Sequence, residues 1–133
     1  MRADGRKKWQ NIANSTLGIA PFFNKGTSGA EVHPRILEAA AGAPIIVKEF
    51  AGSFVNTNLV NTNLEETLNR IGATGLLVCG MMTQNCVTHT AVSKSAEKSI
   101  LTDCSTTVTE LLHNTALHAV STRLPLALSD SAL

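Results

Sequence analysis

An apolar run that ends at a glycine and leads into a helical pattern constrains this chain more than any other feature. Residues 76–79 are unbroken apolar, Gly80 follows, and a helical pattern runs from about residue 84 to residue 98. A buried strand, a tight turn and a helix start are therefore predicted, which is a unit of parallel sheets. Cys86 falls in the first helical turn of this prediction. Free N–H groups and the positive helix end favour a thiolate there, so Cys86 is a candidate nucleophile.

The remaining pattern alternates between strands and helices. Strands are predicted at residues 44–50, 76–79, 99–102 and 124–128, and helices at residues 64–71, 84–98 and 110–123, with Gly72 ending the first helix. This alternation predicts an α/β fold, a Rossmann-like three-layer α/β/α sandwich with a parallel sheet, in one domain over residues 1–133. Lys48 and Cys86 both lie at or just beyond strand ends, where such folds bind ligands.

Composition excludes several classes of function. The formal net charge is +1 and no basic run is interleaved with aromatics, so nucleic-acid binding is not expected. No segment approaches the ~20 apolar residues of a membrane helix. Three cysteines without a secretory signal predict reduced thiols in the cytoplasm. His33, His113 and His118 show no metal-ligand spacing with cysteine or carboxylate, so neither a metal nor a cofactor is predicted.

Three motifs follow one another along the chain. The first is an apolar run that ends at Lys48 and is followed by Ser53-Phe54. The second reads Gly80-x-x-Thr83-x-x-Cys86-Val87-x-x-Thr90-Ala91. The third, which is weaker, is Thr102-Asp103-Cys104 followed by His113. In this order they resemble the isochorismatase-like cysteine hydrolases, the family that includes nicotinamidases and other small-amide hydrolases.

The resemblance implies a set of roles. Cys86 attacks the carbonyl of a small amide to give an acyl-enzyme, and Lys48 stabilises the thiolate. The backbone N–H groups of Met82 and Cys86 form the oxyanion hole, and the Met81–Met82 peptide bond is cis. Phe54, Gln84 and Asn85 are the expected substrate-binding residues.

One part of the family pattern is missing. The family carries a catalytic aspartate at the end of a strand well before the lysine, but Asp4 is the sole aspartate that precedes Lys48, and no strand precedes it. The resemblance therefore implies a shortened member that lacks its N-terminal strands. Because missing strands expose sheet edges and apolar faces, we expect a homo-oligomer.

Alternatives remain open at the level of function and of single residues. A cysteine amidase competes with a catalytically impaired paralogue that has a structural or small-molecule-binding role, and, more weakly, with a redox protein that uses Cys86 and Cys104. Cys79 is predicted to lie in the core. Open alternatives concern Cys104 (structural or near the pocket), Phe54 (substrate or core), His89 (surface or partner of Cys86) and Asp103 (local backbone acceptor or base).

Overall fold

The computed structural model describes residues 26–48, 50–54, 64–93 and 97–132, and it divides the chain into two compact units, Met1–Pro44 and Ile45–Leu133. In the first unit, a 3₁₀ turn at Ser28–Ala30 precedes helix α1, Pro34–Ala39. Pro34 suits the first turn because its missing N–H would be unpaired there. The His33 Nδ1 atom accepts a hydrogen bond from the Arg35 N–H at 3.2 Å and caps this helix.

The second unit contains a parallel sheet. Its strands are β1, Gly75–Met81, β2, Glu97–Thr106, and β3, Leu126–Ala127, in the spatial order β1-β2-β3. Both pairings are parallel. The predicted α/β class with a parallel sheet is therefore confirmed.

Four helices accompany these strands. They are α2, Leu64–Arg70, α3, Thr88–Val92, α4, Glu110–Ser121, and α5, Ser129–Ala132, and a π-helical turn, Thr83–Val87, leads into α3. Gly72 follows α2 and has a φ of +70°, the left-handed conformation that glycine adopts easily. The helix therefore ends before Gly72, as predicted from the sequence. Thr109 caps α4, because its side chain accepts a hydrogen bond from the Leu112 N–H at 3.2 Å.

The core lies between the sheet and the helices α3 and α4. Its buried members are Val87, Ala91, Ile100, Leu117 and Val120, with Val78 and Leu124 packed against them. Within this set, β1, β2 and α3 each contribute one aliphatic side chain and α4 contributes two. Their burial fixes the π-helical turn, which carries Cys86, on the sheet.

Two predicted elements differ from the structure. Residues 44–48 form no strand, and Ile45 and Val47 remain 64% and 69% exposed. A β-branched run forms a strand only where a neighbour pairs with its backbone, and none does so among the described residues. The predicted helix over residues 84–98 is also wrong in extent. Its α-helical part ends at Val92, and Glu97 already pairs with Gly75 in the sheet.

The remaining elements agree in type. The strand predicted at residues 99–102 is the longer β2, the strand at 124–128 is the two-residue β3, and the helix at 110–123 is α4. The prediction that Cys79 lies in the core is wrong, because β1 alternates between exposed and half-buried residues and Cys79 is exposed. No helix within the described ranges has the length and apolar character needed to span a bilayer.

Candidate active site

The nucleophile loop, residues 80–87, begins with an unusual backbone. Gly80 has φ of +116°, a conformation that side chains rarely adopt, and the Met81–Met82 peptide bond is cis, as the resemblance implied. The chain then turns back on itself. The Met82 carbonyl accepts hydrogen bonds from the N–H groups of Asn85 at 3.0 Å and Val87 at 3.4 Å. These bonds hold Cys86 at the end of β1.

Cys86 does not lie in the first turn of a long helix. It lies in the π-helical turn, and the α-helix that follows has only five residues. A helix dipole contributes roughly 0.3–1 kcal/mol at a well-placed terminus of a regular helix. A full charge beside the sulfur outweighs that contribution, so the group that matters electrostatically is Lys48.

Lys48 contacts the sulfur directly. Its Nζ atom lies 3.2 Å from the Cys86 Sγ atom, 2.7 Å from the Phe50 carbonyl oxygen and 3.0 Å from the Ala51 carbonyl oxygen. Both Lys48 and Cys86 are half-buried. The structure thus brings together two predicted catalytic residues that are 38 positions apart in the chain.

Lys48 has one hydrogen-bond partner for each donor of an ammonium group. Carbonyl oxygens only accept hydrogen bonds, and an ammonium group carries three N–H donors, one for each partner. The third hydrogen of an ammonium at Lys48 can be donated to the sulfur, which accepts it as a thiolate.

Two contacts between segments that are distant along the chain hold this arrangement in place. The Ser53 N–H donates to the Thr90 Oγ1 atom at 3.1 Å, and the two hydroxyl oxygens lie 3.0 Å apart. They tie the segment that presents the Phe50 and Ala51 carbonyls to α3. On the other side, the Oγ1 atom of the fully buried Thr83 lies 2.9 Å from the His113 Nδ1 atom on α4. Both threonines belong to the cysteine motif, but their partners come from other segments.

The predicted substrate-binding residues occupy two places. Gln84 and Asn85 lie in the nucleophile loop. The Gln84 Nε2 atom is 4.0 Å from the Met82 sulfur, and its buried Oε1 atom has no hydrogen-bond partner among the described residues. Phe54 instead stacks under Lys98, whose Nζ atom lies 4.8 Å from the ring centroid.

The position of Lys98 locates this ring. Lys98 pairs with Leu76 near the start of β1, whereas Cys86 follows the end of that strand. Substrate binding by Phe54 stays a prediction.

Other candidate groups have local partners. The Asp103 carboxylate accepts hydrogen bonds from the Ser129 N–H and hydroxyl, and these bonds hold the pKa of Asp103 below its ordinary value. His89 Nδ1 lies 2.8 Å from the Asn85 carbonyl oxygen, so this nitrogen carries a hydrogen. Among the residues that the structure describes, the hydrogen-bond partners of Lys48 include no carboxylate, and no group of three or more histidines, cysteines and carboxylates could hold a metal ion.

Comparisons with known proteins point to one family. The family model described as "Isochorismatase domain" matches residues 5–129. An uncharacterised isochorismatase family protein, YddQ of Bacillus subtilis, is 39% identical over 75 residues, which are 56% of this chain and 38% of that protein. The chain thus spans about two fifths of the length of the curated relatives that it matches, 38% and 40% for two of them.

Solved structures share the fold. An isochorismatase-like hydrolase from Alkaliphilus metalliredigens has a TM-score of 0.72 at 23% identity, over 88% of this chain and 63% of that chain. The nicotinamidase PncA from Bacillus subtilis has a TM-score of 0.66 at 26% identity, over 81% and 63% of the two chains. The YcaC gene product of Escherichia coli, an octameric hydrolase of unknown specificity, has a TM-score of 0.63 at 19% identity, over 75% and 49%.

Proposed function

The chain belongs to the isochorismatase family, and from that premise we propose that it is a cysteine hydrolase that cleaves the C–N bond of small amides. The observation that carries the proposal is the 3.2 Å contact between Lys48 Nζ and Cys86 Sγ. The likeness to a nicotinamidase supports an amide as the substrate class.

The first step needs no separate base in this arrangement. The Cys86 thiolate, paired with the Lys48 ammonium, attacks the carbonyl carbon, and the carbonyl π electrons move to oxygen. The N–H groups of Met82 and Cys86 are the proposed donors to that oxyanion. Removing one oxyanion-hole donor from a serine protease costs about 2.7–4 kcal/mol of transition-state stabilisation, which indicates the scale of this contribution.

The second step needs a proton on the leaving nitrogen. Lys48 holds one N–H towards the sulfur, at the place where the tetrahedral carbon forms, so it is the proposed donor. The C–N bond then breaks and leaves a thioester on Cys86 and a neutral Lys48 amine. Water, deprotonated by that amine, attacks the thioester, and the acid product, the thiolate and the ammonium are restored.

The proposed route also concerns the role that the family pattern assigns to an aspartate. Asp4, the sole aspartate before Lys48, lies outside the described residues. The two carbonyl oxygens of Phe50 and Ala51 orient the ammonium in the described site. We propose that they share the positioning role that the family pattern assigns to a carboxylate.

Ammonia release from a panel of small carboxamides, nicotinamide included, tests the proposal on the full chain. We expect Cys86→Ala to lower turnover at least about a thousandfold, because the nucleophile is lost. Cys104→Ser, which changes a cysteine on β2, is the matched control and retains turnover. Activity that survives in Cys86→Ala contradicts the proposal.

The impaired-paralogue alternative rests on the described site lacking a carboxylate beside Lys48. It predicts no ammonia from any amide, together with Cys86 alkylation by iodoacetamide no faster than that of Cys104. Rapid, selective alkylation of Cys86 contradicts that alternative.

Two further expectations are part of the proposal. The enzyme is a homo-oligomer, which is supported by the octameric YcaC structure and by exposed apolar side chains such as Leu111 on α4. Its location is the cytoplasm, which is the compartment that keeps three free cysteines reduced.

A further inference from the structure

The face of β1 turned away from the core carries a thiol. Along β1, Leu77, Cys79 and Met81 are exposed, while the residues between them are half-buried and Val78 packs on the core. Successive side chains of a strand point to opposite faces, so Cys79 shares the outer face with Leu77 and Met81.

The register of the neighbouring strand places a second thiol beside it. Val78 pairs with Ile100, but Gly80 pairs with Ser105 and Met81 with Thr106, because β2 contains an irregularity opposite this point. Cys79 and Cys104 each come one position before the paired residues Gly80 and Ser105, so they lie on neighbouring strands at the point where regular pairing resumes. Ser105 is buried and Cys104 is exposed, so Cys104 also points to the outer face.

The electrostatics of Cys79 agree with this placement. Partial desolvation and, second, the neighbouring Cys104 raise the pKa of the Cys79 thiol. Coulomb interactions weaken with distance, so this influence supports the placement of the two cysteines on neighbouring strands. Both cysteines are free thiols, and neither takes part in the proposed chemistry of Cys86.

We propose that Cys79 and Cys104 form a dithiol site that a peroxide oxidises to an intramolecular disulfide. Neighbouring strands lie about 4.8 Å apart, within the roughly 4.4–6.8 Å between Cα atoms that a disulfide requires. The site is separate from Cys86, whose sulfur faces Lys48.

The chemistry balances with hydrogen peroxide as oxidant. One thiolate attacks a peroxide oxygen, the O–O bond breaks, and a sulfenic acid and hydroxide form. The second thiol, as thiolate, attacks the sulfenic sulfur, the S–S bond forms, and the S–O bond breaks to release a second hydroxide. The two thiol protons convert both hydroxides to water, so two thiols are oxidised to one disulfide and one peroxide is reduced to two waters.

The test uses the full chain with Cys86→Ser, so that Cys79 and Cys104 are its two remaining cysteines. After reduction, buffer exchange and treatment with hydrogen peroxide, we expect the count of free thiols under denaturing conditions to fall from two to none. The monomer mass should fall by two hydrogens, and a non-reduced digest should contain the Cys79–Cys104 linked peptide. A protein that keeps two free thiols, or that forms disulfides only between chains, overturns the proposal.

A second measurement needs no oxidant. Phenylarsine oxide bridges two adjacent thiols, so it should bind one-to-one to the reduced Cys86→Ser protein. The double variants Cys79→Ser/Cys86→Ser and Cys104→Ser/Cys86→Ser each keep one thiol and should lose this tight binding. Equal binding to all three proteins contradicts the site. Neither readout depends on amide hydrolysis, so its result is independent of the proposed function.

Discussion

At the scale of single residues, Lys48 has the most constrained surroundings in the site. Two backbone carbonyls and one sulfur use all three of its donors, and its role depends on charge as well as on direction. Arginine would keep the charge, but its planar guanidinium cannot direct three donors from one atom towards three separate acceptors. Lysine is therefore the side chain that this arrangement requires.

Lys48→Met should slow the alkylation of Cys86 by iodoacetamide at pH 7. A charge-assisted hydrogen bond contributes about 1.5–3 kcal/mol, and about 1.4 kcal/mol is a factor of ten, so we expect at least a tenfold decrease. Peptide mass spectrometry over time measures the rate at Cys86, and the rate at Cys104 in the same sample is the internal control. Lys48→Arg should fall between the wild type and Lys48→Met. An unchanged Cys86 rate in Lys48→Met would show that the ammonium does not activate the thiol.

Lys98 is a second lysine whose environment has a measurable consequence. It is buried at 4% exposure, and desolvation lowers its pKa. Because the folded-state pKa is below the unfolded value of about 10.4, the unfolded chain binds more protons between the two values. This residue therefore makes the free energy of unfolding rise as pH increases through that window.

Lys98→Met should flatten the dependence of the free energy of unfolding on pH on the alkaline side of neutrality. Urea denaturation at a series of pH values measures it. Cys79 has a raised pKa and acts in the opposite direction over part of this range, so both proteins should carry Cys79→Ser. The same slope in Lys98→Met and in its parent would mean that burial of the ammonium is not the cause.

At the scale of elements, the cysteine loop could be predicted because its signals are local. The apolar run, Gly80 and the motif around Cys86 lie within a few residues of one another, and they correctly predicted a strand followed by a turn. The family resemblance implied the cis bond at Met81–Met82, which the structure contains. Sequence also predicted α4, whose capping threonine and apolar spacing are equally local.

The errors arose where structure depends on distant partners. Residues 44–48 have the composition of a strand but lack a partner strand among the described residues, and residues 97 and 98 have helical propensity but join β2 because β1 offers a pairing edge. Cys79 was predicted as core because an unbroken apolar run suggests burial on both faces, whereas β1 is exposed on one. The pairing of Thr83 with His113 has no counterpart in sequence spacing.

Thr83→Val should destabilise the link between the nucleophile loop and α4. Valine matches threonine in shape but cannot bond to His113, so a buried hydrogen bond is lost and the imidazole Nδ1 atom is left unpaired, at a cost of about 1–3 kcal/mol in the free energy of unfolding. Because the loop carries Cys86, kcat for amide hydrolysis should also fall. Urea denaturation and steady-state kinetics give the two values.

Thr107 provides a matched control for this substitution. Its hydroxyl is buried without a hydrogen-bond partner among the described residues, so Thr107→Val removes an unpaired polar group. This variant should be as stable as the wild type or more stable, with unchanged kcat. If the two valine variants lose the same stability, the Thr83–His113 bond contributes nothing specific.

At the scale of the whole molecule, the proposed catalytic pair and the core belong to the same compact unit, Ile45–Leu133. The pair depends on the sheet through β1 and on α3 through Ser53 and Thr90. Among the described residues, these contacts come from elements of that unit. The order of the motifs along the chain predicted the pair, but the distance between its members could come only from the folded structure.

The apolar surface of this unit carries the prediction of self-association. Val108, which precedes α4, and Leu111 in its first turn are 72% and 76% exposed, and exposed apolar patches mark interaction sites. Light scattering after size exclusion should give a mass that is a multiple of 14.0 kDa.

Leu111→Glu should shift this mass towards the monomer, because burying an unpaired carboxylate in an interface is unfavourable. Ala119→Glu, which adds the same charge at an exposed position two turns further along α4, should leave the mass unchanged. A wild-type protein that elutes as a 14.0 kDa monomer would contradict the prediction, and equal dissociation of both variants would place the interface elsewhere.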